Sequence, residues 1–172
     1  MKIEKIILRQ IRMPLVHFFE TSFGRIDDKH FIIVRVDGDG ATGYGECVAD
    51  VDPYYSAETN DTAWHIIADF IAPRVVGVEV AHPREIVPAL KAIRGHNMAK
   101  AAVEMAAWDL YAKQRGEPLS RALGGTRDRI ASGVSIGIQR SLDELAAKVE
   151  RELGPATAAS RSRSSRGGTS TR

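Results

Sequence analysis

Phe31-Ile32-Ile33-Val34-Arg35-Val36-Asp37-Gly38-Asp39-Gly40-Ala41-Thr42-Gly43-Tyr44-Gly45-Glu46-Cys47-Val48 is the stretch that decides the fold class. Phe31 to Val36 reads as a β-branched strand, Asp37-Gly38-Asp39-Gly40 is a strong hairpin signal, and Gly43 to Val48 is the returning strand. The same residues spell Gly-x-Gly-x-x-Gly over Gly38 to Gly43. A dinucleotide fingerprint joins a strand to a helix whose N-terminus binds pyrophosphate, whereas here a second strand follows. A calcium loop starting at Asp37 and Asp39 fails as well. Thr42 stands where that turn needs glycine, and Val48 where it needs a bidentate glutamate.

Working outward, residues 2–13 alternate in a strand pattern, and Pro14 is expected to end it because proline removes a ladder donor. A segment with Phe18, Phe19 and Phe23 follows, carrying the turn-like Thr21-Ser22-Phe23-Gly24. Three antiparallel strands in a meander is the simplest arrangement. The period then changes to helical. Ala63, Ile66, Ile67, Phe70 and Ile71 form one stripe closed by Pro73, and a second helix starts at Pro83 with Ile86, Leu90 and Ile93 inward. The third helix has Asn97 as N-cap, a stripe of Met98, Ala101, Ala102, Met105 and Ala112, Gly116 as αL cap and Pro118 beyond. Leu119 to Leu123 is a short helix. Ile130 to Ile138 reads as a strand and Leu142 to Leu153 as an amphipathic helix, which together make one βα unit.

The 172 residues are 44% hydrophobic and 27% charged, an ordinary soluble globular composition. No apolar run is long enough to span a membrane, and no secretory leader is visible at Met1-Lys2-Ile3-Glu4-Lys5. The lone Cys47 excludes an internal disulfide and fits a reducing, cytoplasmic setting. After Leu153 the text contains only Ser, Arg, Thr, Gly, Ala and one Pro, so residues 154–172 are expected to be disordered. That tail holds four arginines and no acid, which leaves a slightly acidic body without a nucleic-acid footprint.

Candidate chemistry is sparse. His17, His30, His65, His82 and His96 show no close metal spacing, and each reads as a surface or cap residue. Glu46, Asp50 and Asp52 near a strand end read as a solvated loop, and Glu104 and Asp109 as caps or interdomain hydrogen bonds. Cys47 reads as a small buried residue. Asn60-Asp61-Thr62 is a glycosylation sequon that matters only on secretion. No catalytic constellation is present.

Three segments together resemble the N-terminal part of the enolase superfamily, in its mandelate racemase/muconate lactonizing enzyme-like group. They are Gly40-Ala41-Thr42-Gly43-Tyr44-Gly45-Glu46, the helix from Met98 to Leu110 with Trp108-Asp109, and Pro118-Leu119 with Leu123-Gly124-Gly125. Thr21-Ser22-Phe23-Gly24, Tyr54-Tyr55-Ser56 with Glu58, Gly95 to Lys100 and Gly133 to Ile138 are similar to the o-succinylbenzoate synthase / N-acylamino acid racemase branch.

The resemblance implies an α+β capping domain over 1–125, a three-stranded antiparallel meander with a helical bundle. The first strand and helix of a truncated (β/α) barrel would follow over 126–153. It implies a lyase or isomerase of menaquinone biosynthesis or racemisation, in which a lysine removes the proton α to a carboxylate and Mg²⁺ stabilises the enediolate. It also implies a small carboxylate substrate and a homo-oligomer. Phe19, Phe23 and Tyr55 match apolar walls over the substrate, and Ser135 matches a hydroxyl contact at the end of the first barrel strand. The catalytic lysines and metal carboxylates lie beyond Leu153 in the family and have no counterpart here, so no catalytic or metal residue is assigned and the chain should be inactive alone. After this helix the family has a strand with Lys-x-Lys, and 154–172 is expected to be an out-of-frame reading of it. A non-enzymatic binding module with a basic Ser/Arg tail is the competing reading.

Overall fold

The computed structural model describes residues 1–22, 24–153 and, for the backbone, 159–162. They fall into two compact units, Met1–Met13 with Lys29–Thr126, and Pro14–Asp28 with Arg127–Arg172.

The first unit is built on the hairpin that opened the sequence reading. Strands β1 (Lys5–Thr21), β2 (Gly24–Gly38) and β3 (Ala41–Cys47) form a sheet in the order β1-β2-β3. Strands β2 and β3 run antiparallel, in a register that pairs Val34 with Gly45 and Gly38 with Ala41. Asp39 and Gly40, the two residues between them, both have positive φ (47° and 77°), the backbone of a type I′ turn. Alternation decides the faces. Ile32, Val34, Val36 and Cys47 are fully buried, while Tyr44 and Glu46 face outward. Pro14 does not end β1, contrary to expectation; β1 is an edge strand, the position in a sheet where proline is tolerated.

Helix α1 (Asn60–His65) continues through a π-helical turn (Ile66–Ile71) into α2 (Ala72–Val75). The Thr59 side chain caps α1, with Thr62 answering in a reciprocal box. The expected stop at Pro73 is overturned. The widened turn, with the Ala72 N–H donating to the Ile67 carbonyl, moves the preceding carbonyls clear of the proline ring. Ala63, Ile67 and Ile71 face the core, but Phe70 is 40% exposed, so it leaves the expected stripe. A 3₁₀ turn (Pro83–Glu85) leads into α3 (Ile86–Ala89), which buries Ile86 and Leu90.

Helix α4 (Asn97–Gln114) covers the sheet. Its buried face is Ala99, Ala102, Val103, Ala106, Ala107 and Leu110. The expected stripe was rotated, since Met105 is 43% exposed. The small residues matter because β3 comes very close. A Cβ on Gly45 would meet the Ala102 carbonyl and lie 2.9 Å from the Ala106 nitrogen. One on Gly43 would meet the Ala106 carbonyl and lie 2.8 Å from Leu110 Cβ. Asn97 is the first helical residue, not the cap; His96 holds the cap position at φ 51° and makes no capping bond. Beyond the helix, the Glu117 N–H closes a C-terminal loop on the Ala112 carbonyl at 3.1 Å, and α5 (Leu119–Ala122) follows Pro118.

In the second unit the strand expected over 130–138 is shorter, β4 (Gly133–Ile136). Helix α6 (Leu142–Glu152) starts at Ser141, whose side chain accepts from the Glu144 N–H at 3.1 Å. Strand β5 (Ala159–Ser162) pairs parallel with β4, matching Ser135 with Arg161. The backbone at 159–162 thus departs from the disorder expected for the tail; the rest of 154–172 lies outside the described residues. No described helix is long and apolar enough to cross a membrane.

Candidate functional site

In the first unit, the loop between β3 and α1 carries Tyr55. Its ends are closed by a parallel bridge of Asp50 to Thr59 and by the Asn60 N–H on the Asp50 carbonyl at 2.8 Å. Asp50 and Asp52 turn their carboxylates onto the backbone, at Val51 N (2.9 Å) and Tyr54 N (3.4 Å), so they shape the loop. Ser56 Oγ donates to the Glu58 carbonyl at 3.1 Å. The Glu58 carboxylate accepts from the Met98 and Ala99 N–H groups at 2.9 and 3.1 Å, and so caps α4 from a distant segment. This fixes the far end of the loop, while Val51, Tyr54 and Tyr55 stay exposed, the last at 77%. An exposed aromatic on an anchored loop can wall a binding site. Glu58 was quoted in the sequence reading without a role, because its partners lie 40 residues away.

In the second unit, Phe19 and the segment after β4 come together. The Ile138 N–H donates to the Glu20 carbonyl at 3.2 Å. The Phe19 ring lies over Gly137, where an added Cβ would be 3.3 Å from its edge. Gly137 is two residues past Ser135, and Ser135 is exposed on β4. The phenyl ring is thus seated on backbone near the end of the strand that offers the hydroxyl. Phe18, on the opposite face of β1, stacks under the Arg25 guanidinium at 4.1 Å. Phe23 lies outside the described residues.

The remaining candidates have structural partners. Trp108 Nε1 donates to Glu104 at 3.2 Å, and Asp109 accepts from Tyr44 N (2.8 Å) and Lys113 Nζ (2.7 Å). Both acids therefore hydrogen-bond within one unit, rather than as the helix caps or interdomain bonds expected. His65 pairs with Asp69 at 2.7 Å, and His82 packs edge-on against Trp108 and Tyr111 while accepting from the Arg84 N–H. Cys47 is fully buried, and that burial pushes its thiol above its ordinary value. Arg35 and Thr42 hydrogen-bond Asp37 and hold its carboxyl below the usual range. Among the described residues no three His, Cys, Asp or Glu side chains converge in a group that could hold a metal ion.

Sequence reasoning missed an open groove between the outer sheet face and α4, lined by Ile33, Tyr44, Met105, Trp108, Leu119 and Leu123. Its signal was the outward phase of the β2 and β3 alternation, Ile33 opposite Glu46 and Tyr44 opposite Arg35.

Known proteins resemble this chain in sequence and in backbone. Residues 3–124 match the family model of the mandelate racemase / muconate lactonizing enzyme N-terminal domain. The chain is 50% identical over 150 residues to an o-succinylbenzoate synthase of Geobacillus kaustophilus, covering 87% of this chain and 40% of that protein. It is 41% identical over 153 residues to an N-succinylamino acid racemase of Thermus thermophilus, covering 89% of this chain and 42% of that one. An enolase superfamily member from Listeria innocua superposes with a TM-score of 0.89 at 32% identity, over 96% of this chain and 45% of its own. The L-Ala-D/L-Glu epimerase of Bacillus subtilis superposes with a TM-score of 0.85 at 30% identity, over 95% of this chain and 45% of its own. The chain therefore spans about two fifths of the length of the curated relatives it matches. With its meander, its helical layer and this match, the chain belongs to the enolase superfamily, through a mandelate racemase / muconate lactonizing enzyme N-terminal domain.

Proposed function

We propose that the chain is the capping domain and barrel entry of an o-succinylbenzoate synthase / N-acylamino acid racemase-like enzyme. Its own part in that reaction is to enclose a small carboxylate substrate. Phe19, Phe23 and Tyr55 supply apolar walls that exclude water, and Ser135 supplies a hydroxyl contact. Proton abstraction α to the carboxylate, and any Mg²⁺ the family uses for it, belong to residues that this chain does not carry, and alone it is inactive. The working enzyme is cytoplasmic and homo-oligomeric. The extended identity with the Geobacillus synthase carries this reading. The seat of Phe19 on Gly137, beside the Ser135 strand, supports it from the geometry.

A chimera tests it. Residues 1–153 are joined to the remainder of the Geobacillus relative and assayed with Mg²⁺ on two substrates, the cyclohexadiene precursor of o-succinylbenzoate and N-acylamino acids. The chimera should turn over at least one of them, and the chain alone neither. Phe19→Ala should change the kcat/KM ratio between bulky and small acyl groups by roughly 10- to 200-fold, the range for a lost apolar wall. Equal losses on every substrate would refute the walling role, and turnover by the chain alone would refute its inactivity.

A further inference from the structure

The tail poses a conflict between path and composition. Strand β5 pairs parallel with β4 across four residues, with α6 as the connection, so the backbone makes a βαβ unit. Parallel strands are buried on both faces and read as runs of β-branched and other apolar residues. Ala159-Ser160-Arg161-Ser162 has no β-branched residue, and a single alanine is its one apolar side chain. The sequence match with the Geobacillus synthase covers 87% of the chain, and the superposition on the Listeria structure covers 96%.

The genetic code offers a reason. We infer that the text from Ala159 onward is a barrel strand translated in the wrong frame. Take Ser160, Ser162 and Ser164 as TCN codons, and Arg161 and Arg163 as AGR. Grouped from one base earlier, every serine becomes N-T-C, which encodes Phe, Leu, Ile or Val. Every arginine becomes N-A-G, which encodes Lys, Glu, Gln or a stop. The run Ser160-Arg161-Ser162-Arg163-Ser164 then reads apolar, polar, apolar, polar, apolar. That is the period of a strand whose side chains alternate between the interior of a barrel and its helical shell. Arg166-Gly167, as CGN-GGN, permits Pro-Gly in the same frame, a turn signal where such a strand would end. One slip thus accounts for the Ser/Arg repeat and for a strand path under a strand-poor sequence.

This rests on the reading of the second unit as a barrel entry, but its decisive test does not involve activity. The coding DNA for 154–172 is sequenced. The expected result is TCN at Ser160, Ser162 and Ser164, AGR at Arg161 and Arg163, and an alternate frame free of stops through Arg172. An AGY serine or a CGN arginine at any of these five positions, or a stop in that frame, overturns the inference. If the codons fit while the chimera is inactive on both substrates, the functional reading falls alone. A second measurement uses the protein. The chain with one base restored before Ala159 should protect the amides of 133–136 from exchange at least 10-fold more than the present chain does. Equal or weaker protection counts against the inference.

Discussion

Replacing Gly45 by alanine tests the contact on which the first unit is built. The added methyl would stand 2.9 Å from the Ala106 nitrogen and closer still to the Ala102 carbonyl, where carbon contacts ordinarily need about 3.5–4.0 Å. Both obstacles are backbone atoms of α4, so no side chain can turn aside. The helix must withdraw by on the order of 1 Å, and such a gap forfeits roughly a quarter to a half of the dispersion well at each contact it opens. The fully buried residues that depend on it include Val34, Ala102, Val103 and Ala106. Overpacking typically costs about 1–3 kcal/mol, and a backbone clash belongs at the upper end. About 3 kcal/mol corresponds to a fall in Tm of roughly 10 °C or more for a unit of this size. Both tryptophans of the chain, Trp64 and Trp108, lie in this unit, so their fluorescence follows its unfolding. Adding Ala102→Gly should not restore stability, because the side chain it removes is not the obstacle. A fall of less than 2 °C, or rescue by Ala102→Gly, would refute the close-approach argument.

Asp37, held below the ordinary carboxylate value by Arg35 first and Thr42 second, contributes stability above about pH 3.9 that is lost as pH falls through its lowered folded value. Asp37→Asn should therefore flatten the acid limb of stability measured by urea midpoints from pH 2 to 7; an unchanged slope would contradict this. Truncation after Thr126 should leave the first unit folded and turn the mixed-size oligomers expected of the full chain into a monodisperse species by light scattering, because β4 and β5 expose sheet edges. A sharp monomer peak from the full chain would sink that expectation.

Legibility followed the range of the forces involved. The β2–β3 hairpin was readable because both its turn and its alternation are local. The existence of α4 was readable too, but not its phase. Alanines at 99, 101, 102, 106, 107 and 112 look alike in sequence, and only the approach of Gly43 and Gly45 selects which of them are buried. Pro14 inside β1, Pro73 after a π turn and the Glu58 cap of α4 depend on strand position, helix widening and a partner 40 residues away. The site divides similarly. Phe19, Tyr55 and Ser135 were reachable through family resemblance alone. Gly137, which seats the Phe19 ring, had no signal beyond being a glycine.

The two units differ in what they bury, and the difference bears on function. Nearly every buried hydrophobic among the described residues belongs to the first unit; in the second only Ile136 is fully enclosed. Helix α6 has an apolar stripe and no buried residue, with Leu142 81% exposed. A strand and an amphipathic helix with unburied faces have the surface of a part, since a stable layer needs another element against it. The first unit is the opposite case: its sheet is covered, its hairpin closed and its long helix capped by its own Glu58. Its most exposed aromatics are Tyr54 and Tyr55, on a loop whose backbone is nonetheless tied at both ends. An exposed aromatic forgoes the roughly 1.5–3 kcal/mol that burial of a large apolar side chain supplies, which a later cover would recover. The functional reading asks the second unit for a further parallel strand beside β4, and the frame inferred from Ala159 onward would supply one.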